Sequence, residues 1–384
     1  MSGHLPLRSF WIGGFESACH INRAGCRLDL AAATQHDRFA DADYRLLVSE
    51  ELRVSREAVP WHRVDSGGRC DFSCIEPLLA AAASHGVQVI WSLCHWGWPD
   101  GLDPLAPAFV GRMARYARAA AAFIAERSEG PHCFTPVNEI SFAAWASGHV
   151  AYMHPFLQDS SDAVKRRLVQ AAIAATDEIL TLLPDARILH TDPIIQVVAP
   201  RGRPDLAAEA ERYTESQFQA WDMLAGVAAP ELGGHPRYLD ALGANFYATN
   251  QWELGGGPLP WDAGPRDARW VPLSRQLARL SERYGRPVII GETSHVGHGR
   301  ADWLKEVTDE VILAAEEGTA VDGICLYPVL DRPDWENPSH WHRSGLWDLV
   351  PGPDGELRRV AHRPYLDEFR RSRSRLGYLA PVGS

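Results

Sequence analysis

Two glutamates stand directly after short apolar runs. Glu139 closes Thr135-Pro-Val-Asn138-Glu139, and Glu292 sits in Ile290-Gly-Glu292-Thr-Ser. A carboxylate at the end of a buried apolar segment is stripped of hydration, which is costly unless the group is paired or chemically employed. Two such carboxylates converging on one substrate suit a reaction in which one acid protonates a leaving oxygen while the other attacks or assists at the adjoining carbon. Cleavage of a glycosidic bond is a reaction of that kind. The same residues would also fit a metal site, or ion pairs with neighbouring arginines.

The elements that must position them recur along the chain. Eight apolar, β-rich runs are read at Phe10 to Phe15, Leu52 to Ser55, Val87 to Leu93, Cys133 to Val137, Ala186 to His190, Ala241 to Tyr247, Val288 to Ile290 and Gly323 to Tyr327. Helical patterns separate them, for example Phe109 to Ala125, Ala163 to Leu183 and Ala207 to Ala225, with apolar residues at three- and four-residue spacing. Ser73-Cys-Ile-Glu76 reads as a capping box opening a helix that Gly86 closes. Tyr365 to Arg375 reads as a closing helix.

Helix-to-strand passages are short, whereas strand-to-helix passages are long and rich in Trp, His, Asn and Gly: Glu16 to His36, Ile140 to Ser160, Ala248 to Pro272, Pro328 to His362. That asymmetry predicts an α/β fold, a single (β/α)₈ TIM barrel over residues 1–384, with long βα loops building a site at the C-terminal face. A doubly wound open sheet competes less well, since no strand leads into a glycine-rich phosphate turn.

Over nearly the whole chain the motifs resemble those of clan A glycoside hydrolases, and of family 1 β-glycosidases in particular. Asn138-Glu139 resembles the acid/base motif of strand four, and Glu292 the nucleophile of strand seven. Leu52-Arg53-Val54-Ser55 with Trp61-His-Arg63-Val64 is similar to the strand-two arginine motif, and His95-Trp96-Gly-Trp98-Pro99 to the loop after strand three. Asn245-Phe246-Tyr247, Leu330-Asp331-Arg-Pro-Asp334-Trp335 and Gly345-Leu346 resemble the segments of strands six and eight.

The resemblance implies a retaining β-glycosidase with Glu292 as nucleophile and Glu139 as acid/base, their carboxyls about 5–5.5 Å apart. It implies that Arg53 holds Glu292, with Arg56 an alternative, and that the Tyr247 hydroxyl donates to it. The nearby negative charge of Glu292 would keep Glu139 protonated at rest. Asn138 would bind the sugar 2-hydroxyl; His95, His20 and Asp334 would bind other hydroxyls; Trp335, Trp96 and Tyr327 would offer aromatic faces. The sequence departs from the family at His20, Tyr327 and Asp334, which stand where Gln, Trp and Glu select the sugar, so the glycone is left open. Rival readings are transglycosylation, an unusual glycone, a barrel that binds sugar without turnover, and a metal-dependent hydrolase.

Composition narrows the field. The chain has 384 residues, 46% of them apolar and 23% charged, as expected of a globular domain with one large core. A net charge of −11 offers no basic field to nucleic acid or an anionic membrane. No run approaches the roughly 18 apolar residues of a membrane span, and the first residues do not read as a secretory leader. Seven irregularly spaced cysteines (19, 26, 70, 74, 94, 133, 325) suit reduced thiols and a cytoplasmic location. His295-x-x-His298 and His340-x-His342 lack a recognisable ligand set and read as loop histidines, so no metal or cofactor is expected. Trp252, Trp261 and Trp270 fit either an aglycone wall or loop packing. A small glycoside or oligosaccharide is the expected partner, and nothing in the sequence indicates the oligomeric state.

Overall fold

Each of the eight apolar runs forms a strand in the computed structural model, which describes residues 4–262 and 264–377. The strands are β1 (Trp11–Gly14), β2 (Val54–Ala58), β3 (Gln88–Ser92), β4 (Cys133–Thr135), β5 (Arg187–Pro193), β6 (Ala241–Asn245), β7 (Val288–Thr293) and β8 (Val321–Leu326). All neighbours pair in parallel, and β8 returns to β1 to close the barrel. Parallel strands need crossovers, and these are made by α1 (His36–Ser49), α2 (Glu76–His85), α3 (Ala108–Ala125), α4 (Ser161–Leu182), α5 (Gln219–Ala225), α6 (Leu273–Tyr284) and α7 (Arg300–Glu316), while α8 (Arg363–Leu376) follows β8.

Two apolar layers follow from the period of two along each strand. Ile12, Val54, Ile90, Cys133, Leu189, Ala241, Ile289 and Cys325, one from each strand, fill the barrel interior in a single cluster. Leu5 and Leu7, just before β1, join them and plug the N-terminal mouth, while Tyr327 caps the cluster towards the other end. The alternate residues, such as Val89, Phe134 and Ile290, pack against the helices.

Local details differ from expectation in four places. The capping box at Ser73 is not formed: Asp71 accepts the Ser73 N–H at 3.0 Å, and a 3₁₀ turn, Ser73–Ile75, leads into α2. Gly86 does close that helix, in the left-handed conformation at φ 66°. The helix read over Ala207 to Ala225 is broken by a 3₁₀ turn at Ser216–Phe218. Ile140 to Ser160 is not all loop but opens with a helix, Ile140–Gly148, whose apolar residues lie on all sides and leave little helical period to read. The passage after β8 holds an antiparallel hairpin, Trp347–Pro351 with Leu357–Ala361. All seven cysteines are free, and among the described residues no helix is long and apolar enough to cross a membrane.

Candidate active site

Strand phase decides which arginine enters the site. Val54 belongs to the barrel interior, so the next inward position on β2 is Arg56, while Arg53 and Ser55 face away. Arg56 is buried, 2% exposed, and its Nη1 donates to Glu292 Oε1 at 2.7 Å and to the Gly291 carbonyl at 3.1 Å. Its Nη2 donates to Asn138 Oδ1. Arg53 does not hold Glu292: its guanidinium is exposed near the His85 carbonyl. Ending the strand at Ser55 hid the alternation that would have selected Arg56.

Glu292 turns inward through a register shift. Ile289 is interior, so strict alternation would send residue 292 outward. β7 instead carries one extra residue: Ile290 pairs with Ala244 and Ile324, but Glu292 already pairs with Asn245, and Thr293 with Leu326. Such a bulge re-aims the side chain that follows it. Gly291 makes room at this point, because a Cβ there would lie 2.4 Å from Asn245 Oδ1. The Tyr247 hydroxyl donates to Glu292 Oε2 at 2.8 Å, so both carboxylate oxygens are held.

Glu139 lies at the end of the β4 segment, as the N-terminal residue of the helix Ile140–Gly148, and adopts φ 46°. A non-glycine residue there stores strain of order 1 kcal/mol, a cost often met at functional sites. Its N–H donates to the Thr191 carbonyl, and the Asn245 side-chain amide donates to its Oε1 at 2.8 Å. Burial pushes the Glu139 carboxyl well above its ordinary range, with negative Glu292 adding to the rise; the Asn245 hydrogen bond opposes both. Burial rather than Glu292 is thus the larger cause. Asp192, at the end of β5, accepts the Ser141 N–H just inside the same helix and is itself raised by burial to about 7.

Both glutamates open onto one cavity of about 950 Å³. His95, Trp96, Tyr247, Tyr327 and Trp335 line it, and so does Trp252 from the loop after β6. Gly14 gives Tyr327 its place, since a Cβ there would meet the ring at 2.3 Å. Asn138 is fully buried behind the wall. Its Oδ1 accepts from Arg56 and from Thr191 Oγ1, so its Nδ2 donates to His95 Nε2 at 3.1 Å and leaves the proton of that ring on Nδ1. Burial and positive Arg56 hold His95 well below its ordinary value, hence neutral.

Three expected sugar contacts, Asn138, His20 and Asp334, do not reach the cavity, Asn138 because it is fully buried behind the wall. His20 is wholly buried against Trp335 and Trp96, with neither ring nitrogen hydrogen-bonded among the described residues. Asp334 instead accepts the Glu336 and Asn337 N–H groups, each at 2.9 Å, and meets His342 Nε2 at 3.0 Å, bracing its own loop. In their stead Glu16 and Arg332 line the wall, paired at 2.9 Å. Glu16 also accepts the Ser17 and Ala18 N–H groups, and burial raises its carboxyl despite Arg332. Asn245 and Arg332 lay inside recognised motifs but had no role assigned; Glu16, Thr191 and Asp192 carried no sequence signal. Trp261 donates to Glu306 at 2.7 Å and packs on Trp303, while Trp270 lies under Arg266, so these two serve loop packing. His295 lines the cavity, and among the described residues no group of three His, Cys, Asp or Glu side chains is placed to hold a metal.

No protein-family model and no curated protein matches the chain in sequence. Solved structures do match in shape. A Thermotoga maritima β-glucosidase in complex with castanospermine superposes with a TM-score of 0.76 at 14% identity, covering 99% of this chain and 100% of that one. A hyperthermophilic β-glucosidase mutant gives 0.72 at 15% identity, covering 95% of this chain and 100% of that one. The AHE enzyme from Alicyclobacillus herbarius gives 0.71 at 16% identity, covering 89% and 87%. The chain therefore has the (β/α)₈ barrel fold of these enzymes over nearly its full length.

Proposed function

We propose that the protein is a retaining β-glycosidase of the β-glucosidase kind, cleaving a small β-glycoside by double displacement. The observation that carries this reading is the opposed settings of two carboxyls in one cavity: Glu139 is driven towards its neutral form, while Glu292 has an oxygen on Arg56 and the other on Tyr247. The β-glucosidases that share the fold add support.

In the first step Glu292 attacks the anomeric carbon, the bond to the leaving oxygen breaks, and the proton of Glu139 passes to that oxygen. In the second, Glu139, now a carboxylate, takes a proton from water, whose oxygen displaces Glu292 from the anomeric carbon. Asn245 supports the second step, because its amide favours the charged form of Glu139. Asn138 acts through others, holding Arg56 towards Glu292 and fixing the His95 tautomer. Tyr327 and Trp335 offer the sugar aromatic faces. The mechanism needs no cofactor.

The glycone end favours an altered sugar preference over that of the family, since Glu16 and Arg332 stand at the wall while His20 and Asp334 do not. Aryl β-glycosides (gluco, galacto, manno, fuco, xylo, glucurono) tested with wild type and Glu292→Ala, with azide added, decide the matter. Turnover of one glycone, loss in the variant and an α-glycosyl azide on rescue support the reading. Binding of sugars without any turnover would replace it with a sugar-binding barrel.

A further inference from the structure

From the structure we infer that the cavity carries a subsite for an anionic group on the aglycone, with Lys165 as its cation; this rests on the glycosidase reading above. Lys165, on α4, is only 8% exposed, yet it lines the same cavity as the glutamates. Its ammonium donates to Gln219 Oε1 at 2.7 Å and forms no ion pair with a carboxylate among the described residues. An ammonium has three donors and a full charge, and a neutral amide oxygen answers one donor and none of the charge.

Two carboxylates favour the charge of Lys165 from beyond ion-pair distance, first Asp192, whose oxygens are turned to the Ser141 N–H, and then Asp162. Burial lowers Lys165 in spite of both, as expected of an under-compensated cation. The composition sharpens the point. Of 38 Lys and Arg residues only Lys165 and Lys305 are lysines, and Lys305 is a surface residue paired with Asp309. A compact ammonium therefore stands in the cavity wall of a chain that otherwise uses the planar guanidinium fork.

Position assigns the subsite to the leaving group. Ser141 follows Glu139 by two residues, and its N–H meets Asp192, which in turn senses Lys165. Lys165 thus lies on the Glu139 side, where a leaving oxygen must be to receive the proton. Among the described residues of the wall Arg332 is already paired with Glu16 and is not a free cation. The ligand class is a β-glycoside whose aglycone bears a carboxylate or a comparable oxyanion, with Ser161 and Gln219 as neutral partners in the wall.

The test uses the glycone preferred in the panel above, joined to 4-carboxyphenyl, 4-(carboxymethyl)phenyl and 4-(2-carboxyethyl)phenyl groups and to their methyl esters. For at least one pair the wild type should prefer acid to ester in kcat/KM, and Lys165→Met should lower that ratio about tenfold to a hundredfold. Lys165→Arg should restore part of it. Inorganic sulfate should inhibit hydrolysis of the acid more than of the ester in the wild type, a readout that needs no variant. Equal or better turnover of esters in all three pairs overturns the anionic subsite and leaves the glycosidase reading standing. A wild type that hydrolyses neither acids nor esters removes both.

Discussion

Asn245 Nδ2 donates to Glu139 Oε1 at 2.8 Å, across a contact that only a glycine at position 291 permits. The Glu139 carboxyl is therefore held between burial, which favours its proton, and an amide, which favours its loss. Replacing Asn245 with Leu removes the opposing influence. The basic limb of the kcat/KM profile should move up by about one pH unit, as expected for loss of a hydrogen bond to a charged group. On the proposed mechanism, return of the glycosyl-enzyme to free enzyme should slow, seen as a larger burst of released phenol before steady state. An unmoved basic limb would mean that Asn245 does not tune the acid.

Gly291→Ala tests the same contact from the other strand. The added Cβ would lie 2.4 Å from Asn245 Oδ1 and 3.0 Å from Thr191 Cγ2, so the amide must withdraw from Glu139. We expect kcat to fall at least about tenfold, with destabilisation of about 1–3 kcal/mol from overpacking. Kinetics and a urea melt on one preparation separate the two effects.

The two arginines of β2 should behave oppositely. Arg56→Met leaves Glu292 buried without its ion-pair partner, a change that typically costs about 3–5 kcal/mol, and activity should be nearly abolished. Arg53→Met alters an exposed side chain and should shift stability by less than about 0.5 kcal/mol. Equal activity losses in the two variants would contradict the register described above.

Stability should fall at alkaline pH through a group that does not line the cavity. His36 is buried between Asp43, at 2.8 Å, and Glu57, at 3.2 Å. Burial alone would lower its value, but the two carboxylates raise it from 6.5 to about 9. The native state then binds the proton more tightly than the unfolded chain does. The resulting stabilisation is complete below about pH 6.5 and is lost as pH rises through about 9. Thermal melts between these limits should show the decline in wild type and a flatter profile in His36→Gln.

The barrel was legible because its signals are local. Each strand is a short apolar run such as Gln88–Ser92, and the long passages all follow the same strand ends. Glu139 and Glu292 stood out for a related reason, since a carboxylate directly after such a run is conspicuous without knowledge of its neighbours, whereas Tyr247 was singled out only by the resemblance of Asn245-Phe246-Tyr247 to a family motif. The helix Ile140–Gly148 was not, because apolar residues on every side erase the period that marks a helix.

By itself, then, the sequence determined the succession of strands and helices and the two carboxyls to be brought together. Tertiary structure decided which side chains surround them. The phase of β2 admits Arg56 and turns Arg53 outward, and one extra residue in β7 aims Glu292 inward beside Asn245. Loop packing seats Glu16 and Arg332 at the wall, buries His20 and turns Asp334 to its own backbone. Each of these choices depends on register or on contacts between segments distant in the chain, which residue type and spacing do not encode one segment at a time.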